Sequence, residues 1–198
     1  MTIKPFRLEP GMTIGLVTPA SAPASRETIN KGINKLQELG YKTKIARYAL
    51  EKTGYLSGTD RQRLADLHAM FRDPKIHAIL CMRGGYGTPR LLKDLDFALI
   101  KKNPKIFVGF SDITGLHIAI NRKTGLATFH GPMLTSNIAQ EKERDFALGG
   151  LLRMLSEPKP FGSILAGSGI KCGNTIRKGR ATGQLIGGNL SLLVTHLG

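Results

Sequence analysis

The sequence predicts an α/β protein built on a doubly wound, mainly parallel sheet. Five short apolar runs of strand length alternate with segments whose apolar residues recur at helical spacing. Consecutive parallel strands need helical crossovers, so this alternation favours one sheet with helices on both faces. The composition fits, because 41% hydrophobic and 22% charged residues are ordinary globular usage.

The elements follow one another in a regular order. The first strand is predicted at residues 12–18, and its helix begins near Ser25 and ends before Gly40. Thr59 or Asp60 caps the second helix, which Pro74 stops. The remaining predicted elements are strands at 41–48, 76–82, from Lys105 to Gly109 and at 126–130, and helices that open at Thr88-Pro89, at Asp112 and at Gln140. This is a flavodoxin-like or Rossmann-like arrangement, in which ligands bind at the carboxyl ends of the strands.

Ser111 stands where the fourth strand turns into a helix. This is the position of a nucleophile elbow, in which a sharp turn exposes the serine oxygen and the helix N-terminus faces developing negative charge. Gly109 provides the room for such a turn, but Ile113 replaces the second glycine of the G-x-S-x-G pattern. The alternative is that Ser111 or Asp112 is only a helix N-cap, which on these residues alone is the commoner case.

A glycine-rich loop, Arg83-Gly84-Gly85-Tyr86-Gly87, follows the third strand and is predicted at the same edge of the sheet. Three glycines in four residues expose backbone N–H groups, which suits an oxyanion hole or an anion nest. The spacing does not match a dinucleotide fingerprint and no P-loop lysine follows. The alternative is a tight strand-to-helix connection, which explains one glycine better than three.

The net charge of +15 suits anionic partners, but the basic residues are spread out with no run of five or more, which favours solvated charges on helix faces. We predict no metal site and no cofactor, since the five histidines and two cysteines form neither H-x-x-x-H nor C-x-x-C.

Neither a signal peptide nor an apolar run of membrane-spanning length is visible. A cytoplasmic protein is therefore expected, without a membrane partner. Nucleic acid ranks last as a partner, for want of a recognisable binding motif.

Several motifs together carry a family resemblance. They are Gly54-Tyr55-Leu56-Ser57-Gly58-Thr59-Asp60, Cys81-Met82-Arg83-Gly84-Gly85-Tyr86-Gly87, Val108-Gly109-Phe110-Ser111-Asp112-Ile113-Thr114, His130-Gly131-Pro132-Met133 and Gly187-Gly188-Asn189-Leu190-Ser191. In this order the chain resembles the LD-carboxypeptidases, the muramoyltetrapeptide carboxypeptidase family of serine peptidases. The resemblance implies cleavage of the terminal D-alanine from cytoplasmic murein tetrapeptides without a metal, and a homodimer in the full-length family.

The resemblance also assigns roles to residues. Ser111 matches the nucleophile, and the backbone N–H of Asp112 together with one from the glycine loop, at Gly84 or Gly85, matches the oxyanion hole. The family's histidine and glutamate belong to a C-terminal domain beyond Gly198, and no histidine of this sequence aligns with that base. Hydrolysis by these 198 residues alone is therefore expected to be poor.

The predicted division is an α/β domain at residues 1–157 and a linker with the truncated start of a second domain at 158–198. In the latter, a strand from Thr182, a glycine turn and a capped helix are expected. Two alternatives stay open for the function. One is a self-immunity enzyme of the same fold that cleaves an acyl-sulfamoyl or acyl-phosphoramidate antibiotic. The other is a non-catalytic protein that uses the anion-binding rim to hold a nucleotide or peptide.

Overall fold

The structure, a computed structural model, describes residues 2–23, 25–163 and 176–195. Strands and helices alternate through most of this length. The strands are β1 (Thr13–Val17), β2 (Lys42–Ile45), β3 (Ala78–Cys81), β4 (Ile106–Gly109) and β5 (Phe129–His130). The helices are α1 (Arg26–Glu38), α2 (Asp60–Arg72), α3 (Phe97–Lys102), α4 (Thr114–Thr124), α5 (Glu141–Ser156) and α6 (Leu190–Thr195).

The five strands form one sheet in the order β2-β1-β3-β4-β5, and every neighbouring pair is parallel. The predicted α/β class is confirmed. All residues of the central strands β3 and β4 are buried, because helices cover both faces of the sheet. The carboxyl ends of β1, β3 and β4 therefore lie side by side at one edge, and the loops that leave them meet there.

Local signals explain where the helices begin and end. The Thr59 hydroxyl accepts a hydrogen bond from the Gln62 backbone N–H, and Oε1 of Gln62 accepts one from the Thr59 backbone N–H, so a capping box opens α2. Gly125 ends α4 in the left-handed conformation at φ +79°. Gly40 likewise follows α1 with a positive φ of +85°.

Three local predictions were wrong. The helix expected to open with Thr88 as its cap is a 3-10 helix over Thr88–Asp94 with Gly87 before it, and α3 follows as a separate helix. A 3-10 turn over Ser111–Ile113 precedes α4, so that helix begins at Thr114 rather than Asp112. No strand forms within the described residues 176–189.

The segment after the α/β domain is described in part, and most of the glycine-rich stretch expected from Phe161 lies outside the described residues. Two hydrogen bonds join the described residues of this later segment to α4. The backbone N–H of Asn189 donates to Thr114 Oγ1 at 3.0 Å, and Gln184 Nε2 donates to Asn121 Oδ1 at 3.0 Å. Among the helices of the described ranges, none is long and apolar enough to cross a membrane.

Candidate active site

Ser111 has an unusual backbone conformation. Its φ is +61°, the single positive value at a non-glycine residue in the described part of the chain. An L-residue avoids this region because its Cβ approaches the neighbouring carbonyl oxygen, and such outliers persist only where surrounding structure enforces them. The residue lies directly between the end of β4 and the start of α4. Backbone and position together match a strained strand-to-helix elbow, whereas the extended N-cap conformation that caps α1 and α2 is absent here.

The departure from the G-x-S-x-G pattern has a packing explanation. Ile113 is completely buried. A Cβ added to Gly109 would lie 2.9 Å from Cγ2 of Ile113, closer than carbon atoms approach without displacement. The isoleucine side chain thus packs over the glycine, and the turn closes with an apolar contact in place of a second glycine.

The glycine loop lies beside this elbow. A Cβ added to Gly84 would lie 3.3 Å from Cβ of Ser111 and 3.4 Å from the carbonyl oxygen of Phe110. Gly85 and Gly87 have φ values of +111° and +147°, which few other residues tolerate. Within the described residues, the N–H groups of Gly84 and Gly85 donate to no protein acceptor. The serine elbow and the glycine loop, both predicted at this edge of the sheet, thus lie next to each other.

Asp112 joins the elbow to the far end of the glycine loop. Its carboxylate accepts a 2.8 Å hydrogen bond from the backbone N–H of Thr88, whose hydroxyl donates to the Asp112 carbonyl at 2.6 Å. Both side chains are almost fully buried. Burial raises the pKa of the Asp112 carboxyl, and the hydrogen bonds from Thr88 oppose that rise. The side chain of Asp112 is therefore occupied in holding the loop, which leaves its backbone N–H as the group relevant to an oxyanion.

Arg63 forms hydrogen bonds that hold the same glycine loop in place. Its side chain is only 1% exposed, and Nη1 donates to the carbonyl oxygens of Pro19 at 2.6 Å and Gly87 at 3.1 Å. Nη2 is paired with Asp60, which also accepts two 3.0 Å hydrogen bonds from Nε of Arg90. A buried arginine so connected ties the loop after β1 to the loop after β3.

Ser111 has no base beside it in the residues that the structure describes. Its hydroxyl forms no hydrogen bond to any of them, and its side chain is half-buried rather than enclosed. His117 is held elsewhere, with Nε2 2.8 Å from the carbonyl oxygen of Gly109. Because that oxygen can only accept, Nε2 carries the proton, and burial lowers the pKa of this imidazole to about 4.

His130 lies at the end of β5, with its ring centroid 6.1 Å from the rings of both Phe110 and His117. Burial lowers its pKa as well. It shares the carboxyl edge with Ser111 but does not contact the serine hydroxyl. Across the described ranges, no group of three or more His, Cys, Asp or Glu side chains is placed to hold a metal ion.

All four residues predicted for the site, Ser111, Asp112, Gly84 and Gly85, thus meet at one edge of the sheet. Sequence reasoning missed Arg63, which reads as an ordinary basic residue on a helix. Only its position three residues after Asp60, in the first turn of α2, hints at the ion pair. Its contacts to two distant carbonyls have no signature in the sequence.

A parallel α/β sheet with a strained serine between strand and helix, next to a glycine loop, matches the pattern of α/β proteins with a nucleophile elbow. Comparison with known families narrows the class. Residues 14–131 match the family model described as the LD-carboxypeptidase N-terminal domain, Peptidase_S66. The chain belongs to this family, as its motifs indicated.

Three relatives place the chain within the family. It is 41% identical over 198 residues to a probable murein peptide carboxypeptidase of Bacillus subtilis, covering 100% of this chain and 60% of the relative. It is 34% identical over 193 residues to the murein tetrapeptide carboxypeptidase of Pseudomonas aeruginosa, covering 93% and 60%.

The third relative is the microcin C7 self-immunity protein MccF of Escherichia coli, at 36% identity over 133 residues, covering 66% of this chain and 38% of the relative. The structure of MccF in complex with glutamyl sulfamoyl guanosine superposes with a TM-score of 0.75 at 31% identity, covering 79% of this chain and 48% of that one. The chain thus spans about 60% of the length of the two carboxypeptidases it matches.

Proposed function

We propose that this chain carries the nucleophile and the oxyanion hole of a serine carboxypeptidase that releases the terminal D-alanine from murein tetrapeptides. The observation that carries the proposal is Ser111 at φ +61°, with Gly84 in van der Waals reach of its side chain. A residue whose hydroxyl makes no hydrogen bond within the described residues is held in a strained backbone conformation, which is typical of a functional constraint. The relatives named as murein carboxypeptidases supply the substrate class.

In the proposed reaction, Ser111 Oγ attacks the carbonyl carbon of the bond to D-alanine. The serine proton passes to a base, and the tetrahedral oxyanion accepts hydrogen bonds from the backbone N–H groups of Asp112 and of Gly84 or Gly85. Collapse of that intermediate breaks the C–N bond, and the amine of D-alanine leaves with a proton. Water then hydrolyses the acyl-enzyme and regenerates the serine.

The base is the group that the described residues do not provide. A serine hydroxyl is a weak nucleophile without a positioned base, and loss of the base leaves only the contribution of binding and the oxyanion hole, ~10³ to 10⁴ over water. We therefore expect these 198 residues to be slow on their own. We also propose that residues 1–157 form the α/β domain and that 158–198 lead into a second one.

The MccF relative favours a second candidate, hydrolysis of an acyl-sulfamoyl nucleotide at the same serine. Both reactions begin with attack on an acyl carbon and use the same oxyanion donors, so the rim alone does not separate them. The two candidate reactions differ in the substrate that the site must bind. We infer a cytoplasmic location for either reaction, in keeping with the free, buried Cys81 of a reducing compartment.

Labelling of the serine tests the proposal. An alkyl fluorophosphonate reacts with an activated serine when Oγ displaces fluoride from phosphorus, and mass spectrometry of the digested protein locates the adduct. We expect slow labelling at Ser111, none in Ser111→Ala, and protection by murein tetrapeptide. Protection by an aminoacyl sulfamoyl adenosine alone would favour the immunity reaction. Labelling of neither protein would favour the non-catalytic alternative.

A further inference from the structure

Ser21 lies in the loop after β1 and makes two contacts to the glycine loop. Its backbone N–H donates to the carbonyl oxygen of Gly84 at 3.1 Å. Its Oγ accepts a hydrogen bond from the backbone N–H of Tyr86 at 3.3 Å. The residue is 8% exposed. This one buried serine therefore forms hydrogen bonds to the residues before and after Gly85.

The backbone contact sets the direction of the Gly85 N–H, and the side-chain contact to Tyr86 holds the following peptide in place. In a trans peptide the C=O of one residue and the N–H of the next point in opposite directions, and the described chain contains no cis peptide bond. Since the Gly84 carbonyl is directed at Ser21, the Gly85 N–H is directed away from it. It has no protein acceptor in the described residues, whereas Gly84 packs against Ser111.

Close packing keeps this orientation fixed. A Cβ added to Gly85 would lie 2.1 Å from Oγ of Ser21 and 2.6 Å from its Cβ, so any side chain there would displace the serine. Glycine is also required by the φ of +111°. The loop after β1 and the loop after β3 are thus in contact at the very peptide that would donate to an oxyanion.

We propose that Ser21 is a positioning residue that aims the Gly85 N–H at the oxyanion formed on attack by Ser111. The proposal rests on the proposed function, because it presupposes chemistry at Ser111. Ser21 itself contacts neither substrate nor nucleophile in this role. An oxyanion donor contributes most when it is already aimed before the reaction, and removal of a whole donor costs about 10² to 10³ in rate. Partial misalignment of the donor N–H should therefore lower the rate by a smaller factor than its complete removal.

The test compares Ser21→Ala with a matched variant, Ser57→Ala. Ser57 is also buried, and its hydroxyl donates to the carbonyl oxygen of Ala49 at 2.9 Å, so both variants lose one buried side-chain hydrogen bond. Ser21→Ala leaves the Tyr86 N–H without its acceptor and keeps the backbone bond to the Gly84 carbonyl, so the Gly85 N–H is held on one side only. The rate of Ser111 labelling by an alkyl fluorophosphonate is measured at several reagent concentrations, with circular dichroism confirming that each variant is folded.

We expect Ser21→Ala to lower the limiting labelling rate about 10-fold while the apparent affinity for the reagent stays unchanged. Ser57→Ala is expected to lose stability but to label at the wild-type rate. In Ser21→Ala, amide hydrogen exchange is expected to be faster at Tyr86 and unchanged in β3. These results separate positioning from a general loss of stability.

Three outcomes overturn the proposal. Equal labelling rates in wild type and Ser21→Ala show that Ser21 does not position the donor, and the proposed function then survives if both proteins react at Ser111. Absence of labelling in both wild type and Ser21→Ala would contradict the proposed reaction at Ser111 and the positioning role of Ser21 together. An equal loss of rate in Ser57→Ala would assign the effect to stability and would equally contradict a positioning role.

Discussion

Replacement of Ser111 by glycine should stabilise the protein while it removes the proposed nucleophile. In the left-handed region a non-glycine residue costs roughly 1 to 2 kcal/mol, and Ser111 occupies it at φ +61°. Glycine removes that cost but adds backbone entropy to the unfolded chain, worth about 0.5 to 1 kcal/mol. The Ser111 hydroxyl has no hydrogen-bond partner in the described residues, so its loss adds little.

The net gain for Ser111→Gly is therefore between about 0 and about 1.5 kcal/mol, and the comparison with Ser111→Ala isolates it, since alanine lacks the hydroxyl but keeps the Cβ that causes the strain. For a chain of this size, a gain of 1 kcal/mol raises the melting temperature by roughly 2 to 4 °C. Urea unfolding and thermal melting followed by circular dichroism measure both quantities.

Exposed Ser136, whose φ is not positive, supplies the matched control. Ser136→Gly should lose about 0.5 to 1 kcal/mol, the usual penalty for glycine. If Ser111→Gly proves less stable than Ser111→Ala, the backbone at the elbow is not strained and the principal argument for a functional serine is lost.

Three further predictions concern parts of the fold that support the site. Thr59→Ala should lose about 1 kcal/mol of unfolding free energy because the capping box of α2 disappears, and an unchanged urea midpoint would contradict this. His117 has a folded pKa near 4 against an ordinary value of 6.5, so the unfolded chain binds more protons between these values and stability falls as the pH drops from 6.5 to 4. His117→Gln should remove roughly 3 kcal/mol of that fall, and equal pH slopes in both proteins would refute the buried neutral imidazole. Amide exchange should be faster across residues 182–193 than in β3, because the later segment is mostly exposed; equal protection would contradict the proposed domain division.

The sequence predicted the sheet well because its strands obey simple rules. Residues 78–82 form an uninterrupted apolar run, and the structure buries every residue of β3 within it. The same run leads directly into the glycine loop, so the sequence alone places the loop at the carboxyl edge. The strand expected from Thr182 failed, because its apolar residues Leu185 and Ile186 are exposed and have no neighbouring strand to pair with in the described residues.

The site was predictable as a set of residues but not as a geometry. The Gly-Phe-Ser-Asp motif placed Ser111 at an elbow, yet the same letters fit an N-cap, and only the positive φ separates the two. The contacts of Ser21 and Arg63 lie between residues far apart in the chain, at 63 and 24 positions for the Gly84 and Gly87 carbonyls. Such contacts depend on how loops meet in three dimensions, which periodicity and local motifs do not encode.

Release of D-alanine from murein tetrapeptide by the purified chain, followed with and without added imidazole, tests the central claim most directly. Imidazole supplies a proton acceptor in place of a positioned base, so we expect slow release that rises with imidazole concentration and is abolished by Ser111→Ala. Fast release without imidazole would show that a base lies within these residues, with His130 the first to replace. Release that is equal in wild type and Ser111→Ala at every imidazole concentration would contradict Ser111 as the nucleophile.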